Sequence, residues 1–96
     1  MRNVIYITES FLDNISYGNI NNLDLRSDIE NANIYGTKLV PQGYVGNRPT
    51  DFIGEHEDDT WAIDCYTSDG MEVESYLYTS EFEYNEDIKI LLDFCL

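Results

Sequence analysis

Residues 60–78 read TWAIDCYTSDGMEVESYLY, and this stretch decides the fold because two strand-like runs flank the dipeptide Asp69-Gly70. Apolar and polar side chains that alternate with period two predict half-buried β-strands, and an Asp-Gly pair between two such runs is typical of a hairpin turn. The sequence therefore predicts an antiparallel hairpin that pairs residues 60–67 with residues 71–78.

Two registers are available to this hairpin. A two-residue turn would place the acidic side chains of the second strand on the apolar face of the first. A three-residue loop over residues 68–70, with Gly70 in the left-handed conformation, instead pairs Cys65 with Val73 and makes one face uniformly apolar. We therefore expect the three-residue loop.

In this register the other face of the hairpin is acidic and lined with tyrosine. Asp64 would lie opposite Glu74, and like charges across a strand pair cost about 0.2–1 kcal/mol, so a fold chosen for stability alone would avoid this pair. Glu72 and Glu74 would lie about 6.6–6.8 Å apart on one face, an interval that suits successive phosphate sites. The alternative interpretation is the solvated face of a half-buried sheet. The predicted partner-binding residues of this face are Asp64, Tyr66, Glu72, Glu74, Tyr76 and Tyr78.

The N-terminal half carries the clearest helical signals. Apolar residues recur at helical spacing over residues 23–34, after a polar cap at Asn22 or Asp24, and Gly36 follows as the expected C-terminal stop. A shorter helix is indicated over residues 9–17. The side chains expected to face the core from these two segments are Phe11, Leu12, Ile15, Leu25, Ile29 and Ala32.

Short strand signals lie at residues 3–7, 38–40 and 44–45. The stretch from residue 41 to residue 49 is rich in turn-forming residues and predicts a loop.

The last segment, residues 88–96, fits both structural periods. Its even positions are all apolar, which favours a strand, whereas Asn85 followed by Glu86 and Asp87 is typical of the first turn of a helix. We favour the strand, and in either case the apolar side of the segment closes the core. The alternation of the preceding hairpin strand changes phase near residues 79–80, where we expect a turn or a bulge.

The chain has 96 residues and a mass of 11.1 kDa, which is enough for one small hydrophobic core. No linker and no internal repeat divides it. We expect one α+β domain over residues 1–96, with an antiparallel β-sheet and one or two short helices in the N-terminal half.

Charge is distributed very unevenly along the chain. Residues 1–50 hold five acidic and four basic side chains, whereas residues 51–96 hold 14 acidic side chains and the single base Lys89. A formal net charge of −14 excludes direct binding to nucleic-acid phosphates or to an anionic membrane, because both would repel this protein. We expect a partner protein with a basic surface. Further acidic residues predicted to bind it are Glu55, Glu57, Asp58, Asp59, Glu81 and Glu83.

Catalytic and metal-binding motifs are missing from the sequence. His56 lies among carboxylates, but neither a second ligand at zinc spacing nor the glycine-centred pattern of an EF-hand accompanies it. We therefore expect no enzyme activity, no metal and no cofactor. We interpret Cys65 and Cys95 as buried free thiols, and the alternative is a disulfide or redox pair. No apolar run is long enough for a membrane span or a secretory signal, so we expect a cytoplasmic protein.

Asn, Ile and Tyr together make up 27 of the 96 residues, a composition expected from an AT-rich genome. Small size, this composition, acidity concentrated in one half and the absence of catalytic motifs resemble the small phage-encoded anti-CRISPR and anti-restriction proteins that imitate DNA. The resemblance is one of kind and rests on no shared motif. It implies a non-enzymatic inhibitor, acting in a bacterial host cell, that blocks the basic channel of a Cas effector or a restriction nuclease. The alternatives are an immunity protein or antitoxin that neutralises a basic nuclease toxin, and an acidic adaptor or virion protein.

Overall fold

The structure is an α+β fold, as the sequence predicts, in which four antiparallel strands form one sheet in the order β1-β2-β3-β4. A computed structural model describes residues 3–46 and 59–94. In chain order the elements are β1 (Ile5–Tyr6), α1 (Glu9–Asn14), a 3-10 turn (Tyr17–Asn19), α2 (Leu23–Glu30), β2 (Lys38–Gly46), β3 (Thr60–Tyr66), β4 (Glu72–Tyr78) and α3 (Glu81–Asp93).

The hairpin formed by β3 and β4 has the predicted three-residue loop. The Thr67 N–H donates to the Met71 carbonyl at 2.9 Å, the Gly70 N–H donates to the Thr67 carbonyl at 2.9 Å, and Gly70 has a φ of +91°. A residue other than glycine would be strained at that angle, so the position of Gly70 in the sequence correctly predicted this turn.

Beyond the turn the predicted register is wrong. Tyr66 pairs with Glu72, but the next pair is Cys65 with Glu74, which leaves Val73 as the extra residue of a β-bulge. Because side chains alternate between the two faces of a strand, one inserted residue exchanges the faces of everything that follows it in β4.

The bulge turns the tyrosines of β4 inward. Tyr76 and Tyr78 are only 1% and 4% exposed, whereas Val73 and Leu77 remain largely exposed at 49% and 37%. The predicted outward orientation of the two tyrosines is therefore wrong. The physical reason is that each buried ring contributes a large apolar area while its hydroxyl donates to a carboxylate at 2.6 Å.

The three helices pack on one face of the sheet around a single core. Phe11 and Ile15 are buried and Leu12 is partly buried against them, which confirms the predicted inward side of α1. Thr8 caps this helix by accepting a hydrogen bond from the Phe11 N–H at 3.1 Å. The strands and the other two helices supply further buried residues of the same core, namely Ile5, Leu25, Ile29, Leu39, Ile63, Cys65, Tyr76, Tyr78, Tyr84 and Leu91.

Helix α2 begins as predicted and ends four residues early. Asn22 is its N-cap and accepts from the Leu25 N–H at 2.9 Å, but the helix stops at Glu30 because Ala32 adopts a left-handed φ of +57°. The Asn33 N–H reaches back to the Asp28 carbonyl at 2.9 Å, which completes a Schellman motif. Ala32 is therefore exposed at the helix end, and the expectations that it faces the core and that Gly36 ends the helix are wrong.

The C-terminal segment is a helix, so the strand interpretation is wrong and the helices are not confined to the N-terminal half. Ser80 is the N-cap of α3 and accepts from the Glu83 N–H at 3.2 Å. The expected turn at residues 79–80 is thus the start of this helix, and the cap is not at Asn85. A Ser-x-x-Glu spacing is the sequence signature of a capping box and indicated this start.

Strand β2 is longer than expected. Pro41 and Gly43 belong to it, although the sequence predicts a loop there, because two register shifts against β3 accommodate them. The first shift lies between Pro41 and Gly43 and the second between Tyr44 and Gly46. Strand β2 is therefore a bulged strand. The remainder of the predicted loop, residues 47–49, lies outside the described residues.

Candidate protein-interaction surface

Most acidic side chains between residues 59 and 94 reach solvent. Asp64 and Asp87 are buried, while Lys89 is the only basic residue between 59 and 94. The predicted binding residues Glu55, Glu57 and Asp58 lie outside the described residues, as does His56. Between residues 59 and 94 the exposed carboxylates are Asp59, Asp69, Glu72, Glu74, Glu81, Glu83, Glu86 and Asp93.

The buried carboxylate of Asp87 is a structural junction. It accepts from the backbone N–H groups of Asn21 at 2.8 Å and Asn22 at 3.0 Å, from the Asn21 side chain at 3.1 Å, and from the Tyr78 hydroxyl at 2.6 Å. These bonds tie α3 to the start of α2 and to the end of β4. Burial, reinforced by the hydrogen bond to the charged Asp87, raises the pKa of Tyr78 far above its ordinary value.

A second tyrosine–carboxylate pair joins β4 to α2. The Tyr76 hydroxyl donates to Asp28 at 2.6 Å, and burial together with this bond raises the pKa of Tyr76 far above its ordinary value. Tyr76 and Tyr78 are therefore core residues that hold helices on the sheet and offer no side-chain surface to a partner. Tyr66 is half-buried, and its hydroxyl lies 3.4 Å from the Gln42 side-chain nitrogen.

Asp64 does not project from the acidic face as predicted, because it is only 4% exposed. It pairs with Ser75 across the hairpin and accepts from the Ser75 hydroxyl at 2.6 Å. The predicted pair of like charges between Asp64 and Glu74 is thus absent, since the bulge replaces Glu74 with a hydroxyl donor at that position.

Glu72 and Glu74 are exposed, but they do not share a face. Glu72 pairs with Tyr66 and Glu74 with Cys65, and consecutive residues of β3 point to opposite sides of the sheet. The predicted same-face spacing of two carboxylates is therefore wrong. Glu74 also has a local role, since its carboxylate accepts from the Ser75 N–H at 3.3 Å on the edge strand of the sheet.

Cys65 is a buried free thiol, as expected. Its sulfur donates to the Thr37 hydroxyl at 3.2 Å, and burial raises the pKa of the thiol. A raised pKa keeps the nucleophilic thiolate scarce at neutral pH, which lowers the reactivity of a buried thiol. Cys95 lies outside the described residues.

The three α-helices carry acids where the helix dipole favours bases. Asp13, Glu30 and Asp93 lie in the last turns of α1, α2 and α3, and none of these last turns contains a basic residue. A negative charge at a helix C-terminus is unfavourable by about 0.3–1 kcal/mol. Glu81 and Glu83, by contrast, lie in the first turn of α3, where the dipole favours them.

An aromatic and acidic cluster that the sequence did not predict lies where β2 ends and β3 begins. Tyr44 is 59% exposed, its ring meets that of Trp61 edge to face at 5.5 Å, and its hydroxyl donates to Asp59 at 2.9 Å. The hydrogen bond to the Asp59 carboxylate raises the pKa of Tyr44. The pairing of Tyr44 with Trp61 depends on the two irregularities of β2, which the sequence pattern did not indicate.

Neither a metal-binding group nor a membrane-spanning helix is found in the described residues. Within residues 3–46 and 59–94, no three histidine, cysteine or carboxylate side chains are grouped as a metal ion requires. In the same ranges no helix has both the length and the hydrophobicity needed to cross a membrane. No protein-family model, no curated protein and no solved structure matches this chain.

Proposed function

We propose that this protein is a non-enzymatic inhibitor that acts in the cytoplasm of a bacterial host cell. Its exposed carboxylates occupy a basic channel of a Cas effector or a restriction nuclease in place of nucleic-acid phosphates. The observation that carries this proposal is the concentration of exposed acidic side chains between residues 59 and 94, where eight carboxylates reach solvent and Lys89 is the only base. Asp93 lies in the last turn of α3, where it opposes the helix dipole and where a chain selected for stability alone would favour Lys or Arg.

The spacing of the exposed carboxylates supports the same proposal. Asp69, Glu72 and Glu74 lie near the hairpin turn, and Glu81 and Glu83 lie beyond the other end of β4. Glu72 and Glu74 lie in the first half of β4, whose seven residues span about 20 Å, so the five carboxylates are distributed along this strand and beyond both of its ends. One strand of B-DNA carries about six phosphates over about 20 Å, so this acidic stretch has the length of a short segment of one DNA strand.

The test compares two charge reversals of equal size in the full chain. The first variant, Glu72→Lys with Glu81→Lys, changes exposed acids of the second half, and the control, Asp13→Lys with Glu30→Lys, changes the same number in the first half. Each tagged protein is used to capture partners from the native host, and the affinity for the captured partner is measured with and without duplex DNA or guide RNA.

We expect the first variant to bind at least tenfold more weakly, and the control to stay within about threefold of wild type. Saturating nucleic acid should displace the wild-type protein from its partner. If binding survives both the reversal and saturating nucleic acid, the carboxylates are ordinary solvated surface and the adaptor or virion protein becomes the better interpretation. A captured toxin nuclease with the expected competition would instead favour the immunity protein or antitoxin.

A further inference from the structure

The cluster of Tyr44, Trp61 and Asp59 is an exposed aromatic surface with a carboxylate held beside it. Tyr44 and Trp61 pair across β2 and β3, so their rings project from the same side of the sheet. The hydroxyl of Tyr44 donates to Asp59 Oδ1 at 2.9 Å and thereby positions the carboxylate next to the ring. Trp61 is half-buried against the core, which anchors the pair to the fold.

The chemistry of this cluster fits a guanidinium group. The face of an aromatic ring attracts cations, and arginine is the cation found there most often. A carboxylate has about four lone-pair sites, so the single bond from Tyr44 leaves Asp59 able to accept further donors. Arginine presents paired, parallel N–H groups and is weakly hydrated, whereas the lysine ammonium is a compact and strongly hydrated charge.

We propose that Tyr44, Trp61 and Asp59 form a docking site for an arginine side chain of the basic partner protein. The guanidinium stacks on the exposed ring of Tyr44 and pairs with the Asp59 carboxylate. Charge complementarity selects this occupant, because the ring lies beside Asp59 on a chain of net charge −14. The inference rests on the proposed function and specifies it further, since it predicts that the partner presents arginine rather than lysine at this point of contact.

The chain offers its own reporter for this site. Trp61 is the only tryptophan, so its fluorescence reports directly on occupancy. The full protein is titrated at about 0.1 M salt, within the screened regime, with hexa-arginine and, separately, with hexa-lysine, and calorimetry measures the same affinities independently of the fluorophore. We expect hexa-arginine to change the Trp61 emission and to bind about two- to fivefold more tightly than hexa-lysine, the effect of one exposed cation–π contact.

Three variants identify the source of that preference. Tyr44→Ala and Asp59→Asn should each reduce the ratio of the two affinities to about one. The control Asp93→Asn removes one charge from the end of α3 and should weaken both peptides equally, which leaves the ratio unchanged. Far-UV circular dichroism checks that each variant is folded.

Equal affinities of the wild-type protein for the two peptides would overturn the inference, as would a preference for arginine that persists in Tyr44→Ala. Neither result affects the charge-reversal competition, which tests the proposed function separately. A preference that depends on Tyr44 together with failure of the nucleic-acid competition would support the arginine site and refute the proposed inhibitor.

Discussion

Replacing Asp87 with alanine should be strongly destabilising, because this buried carboxylate joins three elements of the fold. The carboxylate accepts two backbone N–H groups and the Tyr78 hydroxyl in a buried position, and alanine would leave all three donors without that partner. Each abandoned donor costs about 1–3 kcal/mol, although water reaching the two N–H groups limits the sum, so we expect a loss of about 3–5 kcal/mol. That is a large part of the 5–15 kcal/mol typical of a small domain.

The matched comparison is Tyr78→Phe, which removes one donor and leaves Asp87 with its bonds from Asn21 and Asn22. We expect this variant to lose about 1.5–3 kcal/mol. Urea unfolding followed by Trp61 fluorescence measures both free energies, and the double variant completes a thermodynamic cycle in which the two effects should be less than additive. A loss below about 1 kcal/mol in Asp87→Ala, or strict additivity in the cycle, would refute the view that this carboxylate holds α3 on the sheet.

Three further predictions follow from the same contacts. Because Tyr76 and Tyr78 have pKa values raised above the ordinary 10.0, their contribution to stability is complete below pH 10 and falls above it by up to about 1.4 kcal/mol per pH unit for each ring. Urea unfolding between about pH 9 and pH 11.5 should show this slope. Replacing both tyrosines with phenylalanine should reduce the slope and leave the smaller part that comes from groups such as Tyr44 and Cys65, whose pKa values are also raised. Ala32→Gly should raise the free energy of unfolding by about 1 kcal/mol, since glycine adopts φ +57° without a Cβ clash, and an unchanged urea midpoint would contradict this. Glu30→Lys should stabilise α2 by about 0.5–1 kcal/mol at low ionic strength, an advantage that thermal melts should show fading as salt is added.

The sequence predicted the parts of the fold that short-range chemistry decides. The turn at Gly70 and the cap at Asn22 each depend on a few neighbouring residues, and both have the expected geometry. The bulge at Val73 was not predictable in the same way, because the contacts that favour it join residues that are distant in the sequence. Tyr76 finds Asp28 at a separation of 48 residues, and no local pattern shows that its hydroxyl has a buried partner.

The last helix shows a different reason for a wrong prediction. Apolar residues at even positions of segment 88–96 matched the period of a strand, yet Ile88, Ile90 and Leu92 are half-buried residues of α3 that lie on either side of the buried Leu91. The Ser80-x-x-Glu83 spacing would have decided between the two, since a capping box has no counterpart in a strand. Two of the predicted partner-binding residues, Glu81 and Glu83, consequently lie in the first turn of α3.

The hydrogen bonds at the outer edge of β4 bear on how this protein behaves when it is concentrated. Glu74 accepts the Ser75 N–H and the Asn22 side chain donates to the Leu77 carbonyl at 3.0 Å, so these backbone groups already have partners within the same chain. An added strand from a second copy would have to displace them before it could pair. Repulsion between copies of net charge −14 extends only about 8 Å at physiological salt, whereas these bonds do not depend on ionic strength. Resistance to strand addition at the β4 edge should therefore persist under conditions in which charge alone no longer keeps the molecules apart.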